Sequence, residues 1–170
     1  SRETIQRSTI GSSSELSWSA ALETLRVLEY TGRVRRGYFI EGLSGVQFIR
    51  DKDFVGVMLV LEKPIEDILW LSASDPAQPW GKCLPHMETR SFINVAGTAV
   101  ALRVGIPLAV FERQGKVLRV FDETHLEEIL TVFVGEFSRK RIFPTLNRLL
   151  VKQYPKEAAE ALRDAGFIRE

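Results

Sequence analysis

Three short runs rich in β-branched and apolar residues follow one another closely, and this arrangement constrains the fold more than any other feature. The runs are Thr98 to Val104, Leu108 to Gln114 and Val117 to Phe121. Connections of only a few residues leave no room for a helical crossover, so the strands should pair as an antiparallel meander. The compact apolar run Ile68 to Ala73 suits a further buried strand.

Helical patterns surround these runs. After the meander, Thr124 and Glu127 have the spacing of a capping box. They precede a wide apolar stripe made of Leu126, Ile129, Leu130, Phe133, Val134 and Phe137. Further on, Arg148 to Tyr154 is a candidate strand, and Pro155 to Ala165 is predicted to form a last helix that stops at Gly166.

The first third of the chain predicts a helix followed by a hairpin, which is the winged-helix pattern. Apolar residues recur at helical spacing from Ser17, and Thr31-Gly32 supplies a stop. Arg33 to Phe39 and Val46 to Arg50 favour strands on either side of a Gly-rich turn. Arg2 to Ile10 is a candidate short helix, and Asp51 to Leu61 is weakly helical because Gly56 interrupts it.

Together these patterns predict an α+β fold. We expect a partial winged-helix unit over residues 1–63, followed over residues 64–170 by a small antiparallel β-sheet or barrel-like unit with flanking helices. The chain opens without Met and reads as though it starts inside a structural unit.

The composition limits the function classes. Lys and Arg total 23 against 22 Asp and Glu, so net charge gives no evidence for nucleic acid, and any basic face must come from local clustering. A single cysteine, Cys83, with only His86 and His125, is too few ligands for a closed zinc site and fits a reducing cytoplasm. No apolar run approaches the roughly 20 residues that span a bilayer, so we expect a soluble protein with no membrane partner.

The acidic quartet from Asp122 to His125 follows an apolar strand, as the magnesium-binding box of a helicase motor does. Such a motor also needs a Gly-rich phosphate loop that ends in Gly-Lys-Ser/Thr. Gly81-Lys82-Cys83 and Gly115-Lys116-Val117 both lack that ending. We therefore expect no ATPase and no cofactor in this chain, and we interpret the quartet as a helix start capped by Thr124.

Basic residues cluster twice. Arg33, Arg35 and Arg36 lie beside Tyr38 on the predicted wing, where guanidinium groups and an aromatic ring suit phosphates and unstacked bases. Because alternate strand residues face opposite sides, not all can reach one ligand, and a solvated hairpin remains the alternative. The second cluster, Arg139, Lys140 and Arg141, ends the apolar helix, where the helix dipole favours cations without any partner.

Three other residues are candidates for loop chemistry. Trp70 and Trp80 flank a proline-containing loop and could stack against a base, although packing is the commoner role of tryptophan. Asp75 is either a turn residue or a lone carboxylate aimed at a reacting centre. Neither histidine has a nearby nucleophile arrangement, so no catalytic residue is assigned.

Two motifs resemble the C-terminal region of the large helicase-related (Lhr) family. Gly32 to Phe48 reads Gly-Arg-Val-Arg-Arg-Gly-Tyr-Phe-Ile-Glu-Gly-Leu-Ser-Gly-Val-Gln-Phe. Ser74 to Gly81 reads Ser-Asp-Pro-Ala-Gln-Pro-Trp-Gly, which is similar to the family's Asp-Pro-Ala-Asn-Pro-Tyr-Gly signature. Leu108 to Phe121 resembles the meander that follows in the family. Gln78 and Trp80 depart from the usual Asn and Tyr.

The resemblance implies a nucleic-acid-binding accessory region of an ATP-dependent superfamily 2 DNA helicase whose motor lies upstream. It implies two partners: DNA, either single-stranded or duplex with a single-stranded tail, and the upstream domains of the parent chain. Some family members are associated with base excision, which makes a glycosylase-like DNA-repair module one alternative. A structural docking domain for the upstream winged helices is the other.

Overall fold

The computed structural model describes residues 17–168, and their elements alternate between helices and two small sheets. The candidate helix Arg2 to Ile10 lies outside the described residues. No helix among residues 17–168 is long and apolar enough to cross a membrane. The elements are α1 Trp18–Tyr30, β1 Val34–Gly37, β2 Gln47–Arg50, α2 Asp51–Glu62, β3 Leu69–Ser72, β4 Ala99–Arg103, β5 Ile106–Glu112, β6 Val117–Val120, α3 Leu126–Ser138 and α4 Ala158–Asp164.

The described residues divide into two compact units. The hairpin unit comprises residues 17–64 together with Lys82–Pro85, and the sheet unit comprises Ile65–Gly81 and residues 86–168. The sequence places the domain boundary between residues 63 and 64 and gives no sign that 82–85 join the first unit. Helices and antiparallel sheets in both units confirm the predicted α+β class.

The hairpin unit is built from α1, the β1–β2 pair and α2. Ser17 Oγ accepts a hydrogen bond from Ala20 N and caps α1. At the other end Gly32 has φ +70°, a backbone conformation that glycine adopts without strain. β1 pairs antiparallel with β2, and Asp51 and Asp53 lie in the first turn of α2, where the helix dipole favours them. The predicted helix, hairpin and second helix are all confirmed.

The sheet unit contains a four-stranded antiparallel sheet in the order β3-β4-β5-β6. The short connections predict the pairing of β4, β5 and β6, whereas β3 reaches β4 through the long segment 73–98. Period-two alternation gives the sheet two buried faces. Ala101 and Phe111 point into the main core with α3 and α4, whereas Val100 and Val110 face a smaller cluster that includes Phe92. The sheet is therefore covered on both sides.

Phe133 of α3 occupies the centre of the main core and is fully buried. Its ring centroid lies 4.2 Å from that of Phe111 and 4.9 Å from that of Trp70. The Trp70 indole N–H donates to the Ile129 carbonyl at 3.0 Å, which satisfies the polar atom of a buried ring. The helix and the sheet are thus joined by aromatic packing and one buried hydrogen bond.

The predicted capping box at α3 is wrong. The helix begins at Leu126 with His125 at the cap position, and no side chain makes a capping hydrogen bond. Thr124 instead donates its backbone N–H to Asp122 Oδ1 at 2.9 Å, which forms a turn before the helix. Burial alone raises the pKa of Asp122, but hydrogen bonds from Thr124 and the neighbouring His125 outweigh it and lower that pKa.

Two predictions for the last 25 residues need correction. Residues 148–154 form no strand, and a single parallel bridge joins Gln153 to Val117. The last helix begins at Ala158 and not at Pro155, whose carbonyl accepts from Ala158 N in the preceding turn. Its predicted stop is confirmed, because Gly166 has φ +93°.

Candidate nucleic-acid interface

The wing, defined here as Arg33, β1, β2 and the loop 38–46 between the two strands, owes its shape to a buried glutamine. Gln47 Oε1 accepts from the backbone N–H groups of Phe39 and Ile40 at 3.0 and 2.8 Å. Its Nε2 donates to the carbonyls of Ile40 and Leu43 at 2.9 and 3.2 Å. One side chain thereby satisfies four backbone groups of an irregular loop.

Three arginines of the wing are predicted contacts and are called the wing arginines from here on: Arg33, Arg35 and Arg36. Two of them are held by acidic neighbours. Arg35 Nε lies 2.5 Å from Asp51 Oδ1, and its guanidinium lies 4.5 Å from the centroid of the Phe54 ring. Arg36 Nε lies 3.2 Å from Glu29 Oε1 on α1. The two arginines therefore reach towards different helices, as the alternation along a strand predicts.

Arg33 and Tyr38 remain directed to solvent. Arg33 follows Gly32 and donates its backbone N–H to the Leu28 carbonyl, which closes α1 and fixes where the side chain starts. It makes no ion pair with any residue from 17 to 168, and it is exposed. Tyr38 is 82% exposed at the start of the loop. Arg33 and Tyr38 are thus exposed residues of the predicted site that no acidic neighbour in the described part of the chain holds.

The second basic cluster is engaged within the sheet unit. Glu136 accepts from both Arg139, at 3.0 Å, and Arg141, at 3.3 Å. Lys140 Nζ donates to the Leu146 carbonyl at 2.5 Å and to Asn147 Oδ1 at 3.0 Å. The cluster therefore stabilises the turn that follows α3.

The candidate loop residues are built into the sheet unit. Trp70 is 3% exposed, so it cannot stack on a base. Trp80 is half-buried, and its indole N–H donates to the Gly105 carbonyl at 2.8 Å. Asp75 Oδ1 accepts from the backbone N–H of Ala77 at 2.8 Å, which is the turn chemistry that the sequence favours.

Sequence reasoning missed the structural role of Gln78. The residue is fully buried, and its Nε2 donates to the Ala73 carbonyl, the Trp80 carbonyl and Asn94 Oδ1 at 3.2, 3.1 and 2.9 Å. Its Oε1 accepts from Trp80 N. A polar residue between two prolines resembles an exposed loop residue, and no local pattern distinguishes the two cases.

The same loop ends at Gly81, which packs tightly against the next segment. A Cβ added at Gly81 would lie 2.2 Å from His86 Nε2 and 2.5 Å from Asn94 Nδ2. His86 also packs edge-on against Phe92, with the ring centroids 4.7 Å apart. Burial lowers the pKa of His86, partly opposed by a hydrogen bond with the Phe92 backbone. His86 is thus a packing residue of this loop.

Residues 17–168 contain no group of three or more His, Cys, Asp and Glu side chains arranged to hold a metal ion. His125 Nδ1 lies 3.6 Å from Asp122 Oδ2. No metal site is therefore assigned among the described residues, and the predicted wing contacts are three arginines and a tyrosine.

Comparison with known proteins relates the sequence of this chain to one family. Residues 2–55, which include α1 and the wing, match the family description "Large helicase-related protein, winged-helix domain". The Lhr helicase/uracil glycosylase of Escherichia coli (strain K12) is 34% identical over 168 residues, which cover 86% of this chain and 10% of that protein. The Lhr helicase/probable uracil glycosylase of Mycolicibacterium smegmatis (strain ATCC 700084 / mc(2)155) is 34% identical over 107 residues, 58% of this chain and 7% of that protein. The chain thus spans a tenth or less of the length of these relatives, and it belongs to the large helicase-related family.

Proposed function

We propose that this chain is a nucleic-acid-binding accessory region of an Lhr-type ATP-dependent DNA helicase, and that its wing contacts the phosphate backbone. The observation that carries the proposal is the winged-helix match over residues 2–55, which coincides with a hairpin that presents Arg33 and Tyr38 to solvent. A guanidinium group neutralises a phosphate, and an exposed phenol ring stacks on an unpaired base.

The ion pairs of Arg35 and Arg36 are compatible with this role. The side chains of Arg35 and Arg36 are 50% and 59% exposed, so each pair is solvated. Exposed pairs of this kind contribute only about 0–1 kcal/mol. A phosphate can therefore replace Asp51 or Glu29 at small cost, and the carboxylates weaken binding without preventing it.

The expected ligand is DNA that offers a single-stranded stretch, either alone or as the tail of a duplex. Tyr38 can stack only on a base that is not already paired and stacked within a helix. The Arg139, Lys140 and Arg141 cluster is left out of the proposed interface. Arg139 and Arg141 share Glu136, whose side chain is only 17% exposed and would lose both of its cationic partners to a phosphate. Lys140 is bound to the Leu146 carbonyl and Asn147 Oδ1.

The test is a fluorescence anisotropy titration of a labelled single strand and of a tailed duplex at several salt concentrations. The triple variant Arg33→Ala/Arg35→Ala/Arg36→Ala should lose affinity by at least about tenfold and show a shallower salt dependence. The matched control is Lys63→Ala/Lys116→Ala/Lys156→Ala, which removes three exposed cations outside the wing. Equal affinity and equal salt dependence of the two variants, both shown to be folded, would reject the wing contacts.

A second candidate role is docking against other domains of the parent chain. Helix α2 exposes four of its apolar side chains by 60% or more: Val55, Leu59, Val60 and Leu61. A helix that is apolar on most of its sides is normally buried against a partner. Purified upstream domains should then bind the wild-type chain, and Leu59→Glu should abolish that association while leaving DNA affinity unchanged.

The names of both relatives include uracil glycosylase, which keeps a base-excision module as an alternative. Nothing in the geometry favours Asp75 for that chemistry, since its carboxylate closes a turn. Incubation with a uracil-containing single strand tests the activity directly. If both the wild-type chain and the Asp75→Asn variant release uracil, the chain has glycosylase activity that does not depend on Asp75.

A further inference from the structure

The sheet unit contains a groove of about 880 Å³ between α3, the segment 147–154 and the end of α4. This volume lies in the range of ligand-binding clefts. The groove belongs entirely to one compact unit, and none of the residues singled out on the wing lines it. It is therefore a separate candidate site within the part of the chain that the structure describes.

The charges that line the groove have one sign. Its cationic side chains are Arg148, Lys152 and Arg163, and no Asp or Glu of residues 17–168 lines it. Lys152 and Arg163 make no ion pair with any of those residues; the Arg163 guanidinium reaches only the Ala159 carbonyl, at 3.4 Å. Unlike Arg35 and Arg36, these two cations have no carboxylate to release before they bind an anion.

A second, smaller cleft in the same unit shows that the charges are segregated. It is lined by carboxylates, namely Glu123, Glu127, Glu128, Glu157 and Glu160. Helix α4 has Glu157 and Glu160 at its start, and its end carries Arg163, which lines the groove, and Asp164, which does not. Although the formal net charge of the chain is only +1, the groove therefore presents a local positive field to a ligand.

Backbone hydrogen bonds fix the position of the groove cations. The N–H groups of Lys152 and Gln153 both donate to the Lys116 carbonyl, at 2.8 and 3.1 Å, and Leu118 N donates to the Gln153 carbonyl at 2.9 Å. A Cβ added at Gly115, which has φ +81°, would lie 2.1 Å from Leu149 Cδ1, so the segment packs closely on the turn before β6. Lys152 thus projects from a backbone anchored to the sheet.

Aromatic side chains lie beside the cations. Tyr154, which is 44% exposed, and Phe167 both line the groove. Gly166 N donates to the Arg163 carbonyl and Phe167 N to the Leu162 carbonyl, so the turn that ends α4 places Phe167 next to Arg163. Phe167 is half-buried against the main core, so Tyr154 offers the accessible ring. Cations beside an exposed aromatic ring suit a single strand, whose phosphates and unstacked bases need both.

We propose that this groove binds a short stretch of single-stranded nucleic acid, with Lys152 and Arg163 on phosphates and Tyr154 on a base. The proposal rests on the proposed function, because that function makes a nucleic acid, and not an acidic peptide, the anionic polymer in reach. It adds a contact surface that is independent of the wing.

The first test compares two charge-matched variants in the same anisotropy titration with a labelled oligothymidylate. Lys152→Gln/Arg163→Gln should weaken binding at least about fivefold and reduce the slope of log affinity against log salt by about 1.4, the value for two phosphate contacts on a single strand. The control Lys116→Gln/Lys156→Gln removes two exposed lysines outside the groove and should change affinity less than twofold.

The second test separates stacking from charge. An abasic oligomer of the same length has the same phosphates but no bases. The wild-type chain should bind it several-fold more weakly than oligothymidylate. Tyr154→Ala should reduce that difference, and Tyr154→Ala/Tyr38→Ala should largely abolish it; if Tyr154→Ala leaves the difference unchanged, the groove does not stack on bases. This readout does not depend on the charge variants folding normally.

The outcomes distinguish the two proposals. If the groove variant binds like its control while the wing triple variant is weakened, the groove proposal fails and the proposed function stands. If the wild-type chain binds no oligonucleotide, both fail. An acidic peptide that binds the groove while oligothymidylate binding is insensitive to Lys152 and Arg163 also overturns the groove proposal.

Discussion

The wing and the groove both present cationic side chains, but they differ in whether those side chains are paired with carboxylates. On the wing, Arg35 and Arg36 are adjacent in the sequence, and each has a carboxylate partner within 3.2 Å. In the groove, Lys152 and Arg163 are eleven positions apart, and neither has an acidic partner among residues 17–168. The difference teaches that a cluster of cations in the sequence does not measure the positive charge available to a ligand. That charge depends on which carboxylates the fold brings alongside.

The two regions also differ in how they are supported, and the largest expected effect follows from this. Phe133→Ala removes a fully buried ring from beneath the groove and should destabilise the sheet unit by about 3–5 kcal/mol. Phe54→Ala, at the half-buried ring under Arg35, should cost clearly less. Urea denaturation of both variants measures this. Equal losses in the free energy of unfolding would show that the packing under the wing contributes as much stability as the packing under the groove.

The wing depends instead on one polar side chain. Gln47→Leu leaves the backbone groups of Phe39, Ile40 and Leu43 without their partner and should destabilise the hairpin unit by about 1–3 kcal/mol. Hydrogen exchange should accelerate in residues 38–46 and stay unchanged in the groove segment 147–154. Unchanged exchange in the wing loop would mean that Gln47 does not hold it.

Removing the acidic partners should make the wing more like the groove. Glu29→Gln/Asp51→Asn frees Arg36 and Arg35, so DNA affinity should rise a few-fold, while stability changes by less than about 1 kcal/mol because both pairs are exposed. The control Glu23→Gln/Glu62→Gln makes the same change in net charge at exposed positions away from those pairs. If the control raises affinity equally, net charge and not the release of the arginines is responsible.

The smallest expected effect concerns pH and lies outside both regions. Burial holds the pKa of His86 below its ordinary value of 6.5, so between the two pKa values the unfolded chain binds more protons than the folded one. The contribution of His86 to stability is therefore complete above pH 6.5 and declines as the pH falls through that value. Urea denaturation at pH 7.5 and 5.5 should show a larger loss for the wild type than for His86→Gln. An equal loss in both would remove His86 as the cause.

Much of the fold follows from the sequence, because short-range patterns determine it. The meander from 98 to 121 is confirmed since its connections allow no other pairing, and the wing hairpin is confirmed because its strands flank a Gly-rich turn. The predicted capping box is wrong because the Thr124 backbone N–H donates to Asp122 Oδ1 and forms a turn instead. The predicted strand at residues 148–154 is wrong because only one bridge joins this segment to β6.

The candidate sites are harder to predict because they depend on contacts between residues that are distant in sequence. The sequence singles out Arg33, Arg35 and Arg36 as candidates, but it does not reveal the pairing of Arg36 with Glu29 and of Arg35 with Asp51, since that requires the helix positions. It does not single out Lys152 and Arg163, because they lie in no basic run. The burial of Gln78 likewise follows from packing that no local pattern indicates, whereas the apolar run Ile68 to Ala73 already favours burial of Trp70.

The salt dependence of affinity for a single strand tests the central claim most directly, because it counts the phosphates that the chain neutralises. With about 0.7 per contact on a single strand, three wing arginines predict a slope of log affinity against log salt near −2, and wing and groove together predict about −3.5. A slope close to −2 would restrict binding to the wing. A slope near zero, or no measurable binding, would contradict the account.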